Sequence, residues 1–474
     1  MSEKTYLELS EDSGGSHKFY EVIIDDATLT IRYGRIGTDG QTTQKTYPTP
    51  EKAQADAAKK VKEKLAKGYE AAVMGVRQKR SITRRTIERN KSTAKQAPIL
   101  WRFKSGAAAF GIFIDAERCW VGNQEGSIFL LNHNAEVLNQ YRLSDGVKCI
   151  VADGAWIYAG CDDGNVYDLT GKLPRVAYEI AEDVDIFWID VNDALLGISD
   201  ANGTVMIVNH EDEDVWKKKS NGSSGWMVRC DTEMVYHGHS DGVTAYFGSD
   251  RPAAKWHFKT SGSVLFGWQE KASVYVGTSA SKVYALKKET GEVEQTYQCD
   301  ASVFSCATAS DGKYVFAGDN YSSVYCFNQA GERLWKLGTG CGSAYSMQYL
   351  NERLYIVTTD GSLACLDASE TAINEAQQGI LPTVKDIKAP AAIEATQATY
   401  IETATDTDTG VILECIKEGS KLRMRVVSSG YHQDWHVQFP KNLRVEGARY
   451  LVDEIRESAG GNFYRAYGNI KKVL

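Results

Sequence analysis

Between Val121 and Leu366 one short segment recurs seven times, and this repeat restricts the fold more than any other feature of the chain. The first two copies are Val121-Gly-Asn-Gln-Glu-Gly126-Ser-Ile128-Phe129 and Ala159-Gly-Cys-Asp-Asp-Gly164-Asn-Val166-Tyr167. The later copies turn at Gly203, Gly242, Ser281, Ser322 and Gly361, with spacings of 38, 39, 39, 39, 41 and 39 residues. Each copy reads as a β-hairpin, two short runs rich in Val, Ile, Tyr and Phe around a tight tip. Four short strands fit a unit of about 40 residues, the period of a propeller blade and not of a helical solenoid. A second series keeps the same period: Trp101, Tyr141, Tyr178, Trp216, Trp256, Tyr297 and Trp335 each sit in a β-prone run. The first of these aromatics precedes the first hairpin, and none follows the last. The strand around Trp101 is therefore expected to complete the last blade, closing the ring and leaving no sheet edge to template aggregation.

At 474 residues the chain exceeds what one core usually serves, so about three domains are expected. The predicted fold is multidomain and mainly β. It comprises a small α+β module over 1–72, a basic linker over 73–98, a seven-bladed β-propeller over 99–368, a linker over 369–409 and a small C-terminal α+β module over 410–474. No apolar run reaches the length of a membrane span. The start, MSEKTYLELSEDSGG, lacks the basic-then-apolar layout of a secretion signal, and the ten cysteines stand singly in apolar runs such as Val147-Lys-Cys149-Ile150. Free, packed thiols and a cytoplasmic location are expected.

The pattern V-x-V-G-x-x-x-x-x-V-Y-A-L-x-x-x-T-G-x, best kept at Val274–Glu292, resembles the pyrroloquinoline-quinone-type propeller repeat more than the WD repeat, because Trp-Asp dipeptides are missing. The resemblance covers about residues 99–368 and implies the fold. The quinone enzymes of that group are secreted and eight-bladed with a metal-bound cofactor. This chain has neither a signal nor the size, so no cofactor is expected.

Charge is unevenly shared. Residues 1–98 hold 19 Lys and Arg against 13 Asp and Glu, a balance of +6 that leaves −14 for the rest of a chain whose total is −8. The excess is densest where Arg77, Lys79, Arg80, Arg84, Arg85, Arg89, Lys91 and Lys95 face only Glu88. Such a run attracts a polyanion through counterion release, although many basic linkers are simply solvated.

The first 72 residues alternate as strands at Tyr6–Leu9, Lys18–Ile24, Leu29–Tyr33 and Thr43–Tyr47. A helix then opens near Thr49-Pro50-Glu51, carries Ala53, Ala57, Val61 and Leu65 on one face and many lysines on the other, and stops at Gly68. The strand F-Y-E-V at 19–22, the run R-Y-G-R-I-G-T-x-G-Q at 32–41, Lys45, Tyr47, the alanine-bearing helix and Lys67-Gly68-Tyr69 together resemble a WGR domain. This module occurs in DNA-dependent poly(ADP-ribose) polymerases and in a set of bacterial proteins. In the polymerases the signature aromatic and its neighbours pack on the sugar-phosphate backbone near a DNA end. Here Tyr33 replaces the Trp, keeping a flat face and adding a hydroxyl but offering less stacking area. Arg32, Arg35 and Lys45 lie beside glycines that let backbone amides approach a phosphate, and a guanidinium grips one with two bonds. The candidate contacts are Arg32, Tyr33, Arg35, Lys45, Lys60, Lys64, Arg77, Arg80, Arg84 and Arg85. None would read base edges, so binding independent of sequence is expected. The bland alternative is that Tyr33 fills a small core and Arg35 pairs with a carboxylate.

From Gly410 strands return at Val411–Ile416 and Lys421–Val427, a helix is predicted over Arg444–Glu457, and a strand closes the chain at Phe463–Tyr467. His432 and His436 stand four apart, but in a loop-to-strand stretch that spacing does not diagnose a metal, and packing is the stronger reading for them and for His237 and His239. No nucleophile with a base, phosphate loop or metal motif stands out, so no catalytic residue, no metal and no enzyme activity are expected. The sequence thus points to a non-enzymatic scaffold: the front module and basic run hold nucleic acid, most of all DNA, and the propeller takes a protein partner. The alternative is a purely protein-binding propeller adaptor.

Overall fold

The computed structural model describes residues 3–10, 17–35, 41–72, 90–180, 185–248, 252–309, 312–394, 401–405 and 407–473. The chain divides into two compact units, one running to residue 82 and the other holding nearly all of the rest. In the first, strands β1 (Glu3–Ser10), β2 (His17–Asp25), β3 (Thr28–Arg35), β4 (Gln41–Thr46) and β5 (Glu70–Ala71) form one antiparallel sheet in the order β4-β3-β2-β1-β5. Alternation puts Leu7, Tyr20, Val22, Leu29 and Ile31 on one face, where helix α1 (Pro50–Leu65) covers them with Ala57 and half-buried Val61. The helix starts where the sequence signals it. The Thr49 hydroxyl accepts from Lys52 N, Pro50 opens the first turn, and Gly68, at φ +86°, follows the last. Leu65, expected on the buried face, is exposed.

The second unit carries, among the described residues, six four-stranded antiparallel sheets beginning at Ala109, Val147, Ile186, Met227, Val264 and Val303, and a five-stranded one beginning at Ala344. Their first strands lie side by side around a circuit, that of the last sheet against that of the first. The last sheet takes its fourth strand from the front of the chain: Ile99–Lys104 pairs with Ser362–Asp367. Six of the seven period-setting aromatics stand on the outermost strand of a sheet, Trp101 stands on the fourth strand of the last sheet, and all seven are buried or half-buried. Several tie one blade to the next: Trp101 donates to His133 O at 3.0 Å, Tyr178 to Ala194 O at 2.9 Å and Trp256 to Lys288 O at 2.9 Å. The small residue of the repeat has a packing reason as well. A Cβ on Gly122 would meet Val147 at 2.4 Å, and one on Gly277 would meet Val303 at 2.7 Å, so glycine lets the next inner strand approach.

Six inner strands slip register at the same place, around Phe110, Lys148, Phe187, Leu265, Phe304 and Tyr345. The slipped side chains meet across blades: Phe110 and Phe304 stack on Tyr345, Phe187 stacks on Trp226 at 3.7 Å, and Lys148 lies over Phe187. They form a collar in which Lys148 is held between Asp162 and Asp185.

Two expectations fail toward the C-terminus. The stretch expected as a linker over 369–409 contains helix Glu370–Gln378, whose Ile373 and Ala376 join the blade core, and strand Lys385–Lys388, which adds in parallel to Ile99–Lys104. The module over 410–474 is a closed five-stranded barrel and not α+β. Its strands run Val411–Glu418, Lys421–Val426, His436–Gln438, Arg449–Glu457 and Phe463–Val473 in the order one-two-three-five-four, with the third parallel to the fifth. That is the connectivity of an OB barrel. The predicted helix over Arg444–Glu457 is the fourth barrel strand, preceded by the short 3-10 turn Lys441–Leu443. A register slip between Val452 and Glu454 is the cause of the misreading. It resets the alternation, so that inward Tyr450, Val452 and Ile455 imitate helical spacing.

His237 and His239 are core residues, both fully buried in blade four. His239 caps a turn, its Nδ1 accepting from Asp241 N. His237 occupies the position before the strand glycine where other blades carry Val121, Ala159, Val276 and Ala317, and neither ring nitrogen has a hydrogen-bond partner among the described residues. Burial and neighbouring His239 push its pKa down to about 3, so the fold holds it neutral. The unfolded chain takes up that proton below about pH 6.5, so stability is lost as pH falls from there toward 3, by about 1.4 kcal/mol per pH unit for each such group. His237→Val should therefore shrink the drop in Tm between pH 7 and pH 5; an equal drop in both proteins would refute the assignment.

Candidate nucleic-acid interface

At one end of the helix-covered face of the front sheet, Tyr20 and Tyr33 are direct partners across β2 and β3. Their rings lie 6.4 Å apart, and Tyr69 meets Tyr20 edge-on at the same distance. Tyr33 is 38% exposed, while Tyr20 and Tyr69 are buried. Lys64, from the last turn of α1, places its Nζ 4.4 Å from the Tyr20 ring centre and 4.9 Å from that of Tyr69. Burial, followed by Lys67, Lys18 and Lys60, holds the Lys64 pKa below the usual lysine value. Four ammonium groups thus crowd one aromatic shelf, and none of them lies in an ion pair among the described residues. The arrangement offers a flat partly exposed ring, a cation on its flank and like charges that an anion would relieve.

Of the sequence candidates, the fold brings together Tyr33, Lys60 and Lys64. Lys45 shares the face but pairs with Leu29, four residues along β3 and so about 13 Å from the shelf. There its Nζ sits 4.7 Å from the Tyr47 ring, whose hydroxyl donates to Asp56 at 2.5 Å. Arg32 is a correction. Adjacent to Tyr33 on a strand, it points to the opposite face, over the Phe19 ring at 5.2 Å, with Nε 3.1 Å from Glu21. Glu21 is buried and also held by Lys4 at 2.6 Å, so Arg32 balances a carboxylate on the far side of the sheet. The backbone of Arg35 pairs with Lys18 at the end of β3; its side chain, and Arg77, Arg80, Arg84 and Arg85, lie outside the described residues. Lys18, Lys67, Tyr20 and Tyr69 escaped sequence reasoning. The period of the strand gave a usable signal for two of them, since Lys18 and Tyr20 share the parity that faces Tyr33.

Residues 3–76 match the WGR domain model, and residues 93–377 match the family model described as outer membrane protein assembly factor BamB. The chain belongs to this BamB-type repeat family and carries a WGR domain in front. No curated protein sequence matches it. Two solved structures are among those similar to it. The WD40 beta propeller domain of Doa1 aligns at 11% identity over 59% of this chain and 99% of that one, with a TM-score of 0.51. The computationally designed Ika8 protein aligns at 12% over 58% and 99%, with a TM-score of 0.45. At such identities the first likeness shows the fold alone.

Elsewhere the polar groups are spent on structure. His432 stacks on Trp435 while His436 stands between Glu211 and Glu418, so the two do not converge, and no group of three His, Cys, Asp or Glu among the described residues is placed to hold a metal. A cleft of about 270 Å³ between blade two and the barrel is lined by Leu173, Arg175, Ile401 and Ile470, and its Arg175 is already paired with Asp168 at 2.6 Å. For Arg32 the assignment predicts a structural phenotype. Arg32→Ala should cost the WGR domain on the order of 1–3 kcal/mol by baring buried Glu21. Its nucleic-acid affinity, measured well below the melting temperature, should stay within about twofold of the parent; a larger loss would return Arg32 to the interface.

Proposed function

We propose that this chain is a non-enzymatic, cytoplasmic scaffold that holds nucleic acid, most of all DNA, by its backbone through the WGR domain and recruits a protein partner through the propeller. The observation that carries the reading is the shelf of Tyr20, Tyr33 and Tyr69 with Lys18, Lys60, Lys64 and Lys67 about it, which sets a half-open ring beside four lysines that lie in no ion pair among the described residues. Lysines and a ring face carry no base-edge code, so affinity follows charge and stacking and not sequence. The basic run from Arg77 to Lys95 extends the attraction along a backbone. On the propeller the half-buried collar residues Phe110, Trp226 and Phe304 give a partner apolar anchors. The description of the family, an outer membrane protein assembly factor, supports the partner-binding half of the reading.

Electrophoretic shifts with duplex, nicked and single-stranded oligonucleotides across a salt series test it. Binding is expected at low salt and should weaken linearly in log–log form as salt rises. Lys64→Ala should reduce the slope by about 0.9 on duplex, one phosphate contact, and Tyr33→Ala should cost about 1–3 kcal/mol of binding. Absence of any shift at low salt would leave the protein-binding adaptor as the surviving function.

A further inference from the structure

One outward face of the C-terminal barrel carries Lys421, Arg423 and Arg465, each of them paired. On the second strand, Arg423 reaches Glu213 at 2.7 Å and Glu211 at 3.5 Å, and Lys421 reaches Glu213 at 3.0 Å. On the third, His436 lies 3.5 Å from Glu211; on the fifth, Arg465 lies 2.7 Å from Asp153. In the turn between the fourth and fifth strands, the amides of Ala459 and Gly460 both donate to the Asp193 carboxylate, at 2.8 and 2.9 Å. All four carboxylates belong to the propeller, Asp193 and Glu213 at hairpin tips of blade three. Aromatic rings complete the face: Phe463 stacks on His210 at 3.9 Å and Tyr467 packs edge-on against Trp156.

Two adjacent amides converging on one carboxylate form an anion nest, and a guanidinium takes a phosphate with the same geometry as a carboxylate. The face also lies where the connectivity one-two-three-five-four would put it, on strands two and three between the one–two and four–five turns. We propose that this face is a binding site for single-stranded nucleic acid, held shut by propeller carboxylates that stand where phosphates would lie. Arg423, Lys421 and the nest take successive phosphates, Arg465 flanks them, and Phe463 and Tyr467 stack bases. The proposal is independent of the WGR interface and adds a second, gated site at the other end of the chain.

The experiment uses the full chain carrying Tyr33→Ala and Lys64→Ala, so that the WGR shelf does not mask the result. Into it go Asp193→Asn with Glu213→Gln, and separately Asp193→Asn with Glu213→Lys, which sets like charge against Arg423. Asparagine tolerates the positive φ of 45° at position 193. Hydrogen exchange over Lys421–Val426 and residues 458–461 reports opening, and anisotropy of a labelled oligothymidine of about 15 nucleotides reports binding. Faster exchange at both segments with affinity gained about tenfold or more supports the gated site. Faster exchange without gained affinity overturns it, as does gained affinity without faster exchange. Unchanged exchange in both variants means that the contact is a fixed joint, and the proposal falls.

Discussion

Seven sheets become one ring because of the hydrogen bonds that Ile99–Lys104 makes with Ser362–Asp367. Bringing together strands more than 250 positions apart costs closure entropy, but that cost grows only logarithmically with loop length. What offsets it is the burial that closure alone completes: Trp101, Phe103, Tyr355 and Leu363 share a core with Phe129 and Leu131 of the first blade. The join would leave Ile99–Lys104 as a sheet edge. Lys385–Lys388 covers it, fastened by the two bonds that Arg102 makes to Asp386 at 2.7 and 2.9 Å. Helix Glu370–Gln378, between these strands, is therefore part of the closure and not of a linker.

The ring then sets the terms for the barrel. Blade three presents the loop Asn209–Glu213, whose Glu211 is 4% exposed and lies 2.6 Å from Arg444 of the barrel, itself nearly as buried. Burial raises the pKa of Glu211 and Arg444 works against that rise, so charge is kept inside only because both partners arrive together. A buried pair of this kind contributes little net stability, but removing one member leaves a desolvated charge, which makes the register of barrel on blade specific. The same loop carries the groups that meet the second and third barrel strands, so positioning and occlusion are one structural event.

Much of this architecture is readable from residues. The hairpin tips and the outer-strand aromatics follow a period that no helical arrangement would produce, and even the strand exchange at Trp101 follows from counting aromatics against hairpins. The failures are equally physical. Arg449–Glu457 reads as helix because one slipped residue breaks a two-residue period, which no single-strand pattern reveals before its partners are known. Arg32 and Tyr33 look like one site in sequence, whereas the pleat sends them to opposite faces. Residues 369–388 look like a linker because their composition is polar and Ala-rich, yet Ile373 and Ala376 at helical spacing suffice to seat a helix once a blade offers a surface.

The two cationic faces of the chain show why residue type alone does not define a site. Cations lie over aromatic rings on both, Lys64 over Tyr20 on the WGR sheet and Arg456 over Tyr467 on the barrel. On the barrel Lys421, Arg423, Arg444 and Arg465 each meet a carboxylate of the propeller, so an incoming polyanion would have to displace it. On the WGR shelf burial, followed by Lys67, Lys18 and Lys60, lowers the Lys64 pKa, so its charge is carried at a cost to the fold. The difference between the faces is thus one of electrostatic pairing, made by propeller carboxylates on the barrel and not made by any ion pair among the described residues of the shelf.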